Sequence, residues 1–236
     1  MSEPILLVPG MMCDARVFGP QINDLSRDFT VQVAQVTKGE SIREMAAEAV
    51  HHAPPRFALA GISMGGIVAM EILRRVPDRV TRIALISTTP LPETPEQAAW
   101  REPQIVKAQS GNFGEALRGA LPPDNLAPGA GRAQVLAVLD AMAADIGVAA
   151  FVRQSRALQR RPDAQKVLRT TRAPALVLCG AHDKITPVKR HSFMAELIPY
   201  AELAIIEEAG HLPTLESPAK VNLALRAWMD LPMVLR

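Results

Sequence analysis

The sequence predicts an α/β fold: a doubly wound, mostly parallel sheet of about six strands with an inserted helical segment. Three observations carry this expectation. Short apolar runs alternate with helical patterns along most of the chain. One such run leads at once into a serine held between glycines and then into a helix. Finally, a stretch of about 80 residues, Leu91 to Arg172, has helical patterns but no strand.

Taken in order, the first strand is Ile5 to Val8, stopped by Pro9-Gly10. A short helix is expected from Val17 to Leu25, and a second strand from Thr30 to Val36. Ser41, with Glu44 three residues on, has the capping-box pattern and starts a helix reaching about His51. The third strand, Phe57 to Gly61, runs into Gly61-Ile62-Ser63-Met64-Gly65-Gly66 and a helix through Arg75, which ends before Pro77. The fourth strand is Val80 to Ser87. Four helical patterns follow, near Pro95–Gln109, Phe113–Ala120, Arg132–Ala144 and Val148–Gln159. They are punctuated by Pro122-Pro123, Pro128-Gly129 and Gly147. Strands resume at Ala175–Cys179 and Leu203–Ile206, each followed by a helix, Val188–Leu197 and Ala219–Met229. No internal repeat or low-complexity tract interrupts this order.

The bulk composition narrows the function. Hydrophobic residues at 48% and charged residues at 21% are ordinary for a globular domain. Aromatics are only 4%, so Ala, Val, Leu, Ile and Met must build the core. A net charge of +2 is too small to point to nucleic acid. The first ten residues carry no basic residue and their apolar run is short, so neither a signal peptide nor a membrane span is expected. A cytoplasmic location follows, in which Cys13 and Cys179 are free thiols. Neither cysteine belongs to a pattern with ligand spacing, and no metal site or cofactor is expected.

In a doubly wound parallel sheet the loops after the strands meet at one edge. Three of those loops carry chemistry. The turn at Ser63 forces strained backbone angles that lift its hydroxyl clear of the sheet, and a side chain at Gly61 or Gly65 would collide with a neighbouring strand or helix. After Ala175–Cys179 comes Gly180-Ala181-His182-Asp183, and after Leu203–Ile206 comes Gly210-His211-Leu212-Pro213. A serine hydroxyl is a poor nucleophile at neutral pH. His211 can take its proton and return it to a leaving group, while Asp183 fixes the imidazole tautomer and stabilises the imidazolium. Backbone N–H donors for an oxyanion are expected from Met64 and, on the loop after the first strand, from Met11, with Met12 as the alternative.

These residues resemble the α/β-hydrolase superfamily. Gly61-x-Ser63-x-Gly65, Gly180-x-x-Asp183-x-x-x-Pro187 and Gly210-His211-x-Pro213-x-x-Glu216-x-Pro218 are similar to its three motifs, in its order Ser, Asp, His. The resemblance covers nearly the whole chain and is nearest the small esterase, thioesterase and C–C hydrolase branch, which includes esterases acting on acyl-carrier methyl esters. It implies an α/β-hydrolase core over 1–90 and 173–236 and a helical lid over 91–172. It implies a carboxylesterase-like activity through an acyl-enzyme on Ser63, with no cofactor. Two departures stand out. Relatives commonly have His-Gly where this chain has Pro9-Gly10, and they commonly begin with a hairpin, so about six strands are expected rather than eight.

Alternatives accompany these assignments. The same triad serves C–C hydrolases, lyases and cofactor-free perhydrolases, and some hydrolase scaffolds are ligand-binding receptors. Rival carboxylates are Glu207, Glu208 and Glu216, the last equally a cap for the final helix. His51, His52, His182 and His191 read as structural or solvated. Cys13 reads as a packed thiol. Met11, Met12 and Trp100 are candidates for a substrate pocket or for simple core. Between Arg153 and Arg172 stand seven basic residues and one acidic residue, Asp163. Such a run is usually a solvated face. The other reading is attraction of an acyl carrier protein or a CoA-linked substrate. A small acyl ester or thioester is the expected partner.

Overall fold

The computed structural model describes residues 3–232. Its six strands form one sheet with every neighbouring pair parallel, in the order β2-β1-β3-β4-β5-β6. They are β1 (Ile5–Val8), β2 (Val31–Val33), β3 (Phe57–Ile62), β4 (Val80–Ile86), β5 (Ala175–Gly180) and β6 (Ala201–Ile206). The helices joining them in the first half are α1 (Gly19–Leu25), α2 (Ile42–His52) and α3 (Met64–Arg75). Between β4 and β5 lie α4 (Pro95–Gln109), α5 (Phe113–Ala120), α6 (Arg132–Ile146), α7 (Val148–Gln159) and α8 (Gln165–Thr170). The chain then continues through α9 (Val188–Leu197), α10 (Pro213–Glu216) and α11 (Pro218–Asp230).

The central strands are apolar without interruption because both faces of the sheet are covered. Alternate residues divide between two cores. Leu6, Val8, Leu59, Ile83, Leu85 and Val177 face the core shared with α2, α3 and α9. Ile5, Leu7, Ala60, Ile62, Ile86 and Leu178 face the one that includes Val17, Leu225 and Trp228. The edge strand β2 is shorter than the expected Thr30–Val36. Ala34 still donates to the Leu7 carbonyl at 2.9 Å, but Val36, although buried, turns its carbonyl to a side chain of α7 instead of to the sheet.

Local differences from expectation have local causes. The first helix divides into a 3₁₀ turn, Ala15–Phe18, and α1, with Pro20 in the first turn of α1. The Ser41 hydroxyl caps the Glu44 N–H at 3.2 Å, but the Glu44 carboxylate reaches the N–H of Glu40, not that of Ser41. A full capping box stands instead at Thr94 and Gln97, at the start of α4. Helix α8 is six residues long, too short to show a period, and is held by the buried Leu168. The segment between β4 and β5 has a small core of its own, Ala108, Ala116, Leu117, Ala143 and Phe151, and Met12 from the loop after β1 joins it. The Ala164 N–H donates to the Pro90 carbonyl at 2.8 Å, where β4 exits; from there α8 descends the flank of the sheet against α3 and α9.

Candidate active site

The turn between β3 and α3 holds Ser63 at φ 54° and ψ −119°. That conformation costs a non-glycine residue roughly 1–3 kcal/mol, so the surroundings must enforce it. A Cβ on Gly65 would lie 2.0 Å from the Val8 carbonyl oxygen, and one on Gly61 would lie 2.3 Å from the Gly65 carbonyl oxygen. The turn therefore closes only without side chains there. A further restraint comes from the exit of β4. The Thr88 hydroxyl donates to the Ser63 carbonyl at 2.7 Å, and the Thr88 N–H donates to Nε2 of the buried His191 at 3.1 Å. Burial pushes the His191 pKa down to about 4, which keeps this ring neutral and able to accept.

The loops after β5 and β6 meet over this serine. Gly180 permits their approach, since a Cβ there would lie 2.2 Å from the Ala209 carbonyl oxygen. His211 is buried, with Nε2 at 2.9 Å from Ser63 Oγ and Nδ1 at 2.8 Å from Asp183 Oδ2. Asp183 Oδ1 accepts the Ile185 and Thr186 N–H groups, each at 2.9 Å, and Oδ2 accepts the Thr186 hydroxyl at 2.7 Å. Burial works to raise the Asp183 pKa, but His211 beside it and the Thr186 donors outweigh this and hold it below the ordinary carboxylate value. An ionised Asp183 requires the proton on His211 Nδ1, which leaves Nε2 to accept from the Ser63 hydroxyl.

The loop after β1 completes the edge. Gly10 to Cys13 is a turn closed by the Cys13 N–H on the Gly10 carbonyl at 3.2 Å, with Met12 at φ 55°. The Met12 N–H is taken by Gln154 Oε1 of α7 at 2.9 Å. Among the described residues, no hydrogen bond takes the N–H of Met11 or that of Met64, the first residue of α3. The arrangement thus sets the Ser63 hydroxyl, the His211 imidazole, the Asp183 carboxylate and the N–H groups of Met11 and Met64 around one sheet edge. Residues 5–224 match the model of the Alpha/beta hydrolase family.

The chain belongs to the alpha/beta hydrolase family. Among curated relatives it is similar to a pimeloyl-[acyl-carrier protein] methyl ester esterase of Aromatoleum aromaticum. The two are 28% identical over 176 residues, which cover 70% of each chain. Among solved structures it is similar to a thermophilic esterase from Thermogutta terrifontis with malate bound. That match has a TM-score of 0.87 and 27% identity, and covers 97% of this chain and 90% of that one. The enol-lactonase from Burkholderia xenovorans shares the fold, with a TM-score of 0.84 at 22% identity over 98% and 92% of the two chains.

In this hydrolase several other candidates fall elsewhere. Glu216 does not cap α11. Its carboxylate accepts the N–H groups of Ala127, Gly210 and Leu212 at 2.6, 2.9 and 2.8 Å, and so ties the His211 loop to the turn after α5. The His211 N–H adds a bond to the Asn125 carbonyl at 2.7 Å. Glu207 and Glu208 are exposed, and Glu208 pairs with Lys220. His182 is exposed. Met12 is core, Met11 is half-buried, and Trp100 is half-exposed. The basic run is not one solvated face. Arg161 is inside, bonded to Glu93 and the Leu91 carbonyl, Arg153 bonds the Thr37 carbonyl, and Arg156 pairs with Glu102. Arg160, Lys166, Arg169 and Arg172 remain exposed. Among the described residues no group of three or more His, Cys, Asp or Glu is arranged to hold a metal, and no single helix is long and apolar enough to cross a membrane.

Proposed function

We propose that this chain is a serine esterase that cleaves carboxylic esters or thioesters through an acyl-enzyme on Ser63. The observation that supports it most is the hydrogen-bond chain Ser63–His211–Asp183, at 2.9 and 2.8 Å. As Ser63 Oγ attacks the substrate carbonyl, His211 Nε2 takes its proton, and the carbonyl oxygen becomes an oxyanion held by the N–H groups of Met64 and Met11. His211 then protonates the leaving alcohol or thiol. A water, activated by the same nitrogen, hydrolyses the acyl-enzyme and restores Ser63. Asp183 stays ionised throughout and stabilises the imidazolium.

The reading divides the chain into a hydrolase core, 1–90 and 173–236, and a lid, 91–172, that selects the acyl group. The curated relatives named for pimeloyl-[acyl-carrier protein] methyl ester support a carrier-linked acyl substrate beside small soluble esters. Two buried cysteines without a disulfide accord with a cytoplasmic enzyme. The test is an activity panel of esters and thioesters of graded acyl length, free and carrier-bound. Ser63→Ala should reduce kcat by at least about 10⁴-fold with the fold unchanged by circular dichroism. Undiminished turnover in that variant would end the proposal.

A further inference from the structure

We infer that Gln154 of the helical segment is a positioning residue for the oxyanion loop, an inference that rests on the acyl-enzyme reading above. A buried primary amide must spend its hydrogen bonds inside the protein, and Gln154 is fully buried. It spends them on backbone groups of two separate core segments. Oε1 accepts the Met12 N–H at 2.9 Å, and Nε2 donates to the Val36 carbonyl at 3.1 Å. Its neighbour Arg153 reinforces the second contact by donating to the Thr37 carbonyl at 3.0 Å.

What these bonds hold is a strained turn. Met12 sits at φ 55°, a conformation that glycine adopts freely and methionine does not. Its side chain is sealed in the core of the helical segment, so the residue cannot leave, but its backbone can rotate unless the N–H is held. The bond to Gln154 has two effects. It fixes the Gly10–Cys13 turn, and it occupies the Met12 N–H, leaving that of Met11 as the loop's donor to an oxyanion. Gly10 lies close beneath, where a Cβ would be 3.4 Å from Ser63 Cβ, so a change in this turn is felt at the nucleophile. Helix α7 is accordingly built into the reaction centre and does not only cover it.

The test compares Gln154→Leu, Gln154→Glu and wild type in kcat, KM and the rate of inactivation by a serine-directed phosphonate, whose phosphoryl oxygen occupies the same hole. Gln154→Leu should lower kcat roughly 10–100-fold and slow inactivation in parallel, with KM for a short ester within about 3-fold. Gln154→Glu, as the neutral acid, retains the acceptor for the Met12 N–H and offers its O–H to the Val36 carbonyl, so it should recover most of the loss; it also serves if the leucine variant does not fold. In a Met12→Gly background, where the turn needs no enforcement, the Gln154→Leu effect should shrink to about 3-fold or less. An unchanged kcat in Gln154→Leu, a loss confined to KM, or the same fold-loss in the Met12→Gly background would overturn the role. Ser63→Ala separates the two layers. If that variant is inactive while Gln154→Leu keeps the wild-type kcat, only the positioning role falls; if Ser63→Ala stays active, the acyl-enzyme reading falls.

Discussion

Acidification should destabilise this protein through His191 before it reaches the carboxylates. The buried His191 ring accepts the Thr88 N–H through Nε2 and faces the Pro187 carbonyl, at 3.4 Å, through Nδ1. Protonation would put a proton on the accepting nitrogen and a charge in a site without solvent. Burial is the main cause of the fall from 6.5 to about 4; Asp183 nearby favours the proton and His211 opposes it. The unfolded chain binds this proton from about pH 6.5 downward, and the folded chain only below about 4, so the stability is complete above 6.5 and is lost progressively as pH falls through that window. The gap corresponds to roughly 3 kcal/mol, of which about 2 is lost between about pH 7 and 4.5. For a chain of this length that is a fall of roughly 5–8 °C in Tm. Asp14, Glu71, Glu102, Asp183 and Glu208 also have lowered values, but their ordinary values are 3.8 or 4.5, so their losses begin lower. The assay is urea unfolding across this window for wild type and for His191→Gln, which keeps an acceptor but does not titrate. The glutamine variant should lose most of the slope. Equal slopes in the two proteins would refute the reasoning.

Two other perturbations read different parts of the same edge. Glu216→Gln replaces a carboxylate that accepts three N–H groups, and bonds to a charged acceptor contribute about 1.5–3 kcal/mol each. The variant should lose roughly 3 kcal/mol of stability in urea unfolding and turn over more slowly with KM for a short ester unmoved; full stability and kcat together would show that the carboxylate holds nothing. Burial, with Asp14 beside Cys13 and Asp183 near Cys179, pushes both thiols up to about 12. Neither should react with iodoacetamide at about pH 8 in the folded protein, and both should react in denaturant; rapid labelling of native protein by mass spectrometry would contradict this.

Much of the sheet and of the site was legible because its signals are local. Parallel strands buried on both faces leave unbroken apolar runs, which is why β1, β3, β4 and β5 could be read almost to their ends. Helix α9 was read to the residue because Pro187 and the strand after it bound it on both sides. The turn at Ser63 was legible for the same reason, since the chain cannot make it without Gly61 and Gly65. Edge strands were harder. Pairing on one side only lets Val36 leave the sheet for Gln154 and lets β6 start two residues early at Ala201. A six-residue helix such as α8 carries too little period to be seen at all.

The sequence by itself determined the order of elements, the parallel winding and the three loops that end at one edge, because each depends on residues close together in the chain. Only the tertiary structure decided what each carboxylate, amide and imidazole in those loops touches. Asp183 and Glu216 are both acidic residues in loops of the same edge, yet one meets His211 and the other gathers three backbone N–H groups. Gln154 reads as any polar residue on an amphipathic helix until α7 is laid against the loop after β1. Those outcomes depend on contacts between segments far apart in the chain, 142 residues for the bond from Met12 to Gln154 and 148 for that between Ser63 and His211, and on burial, which favours a partner for each such polar group.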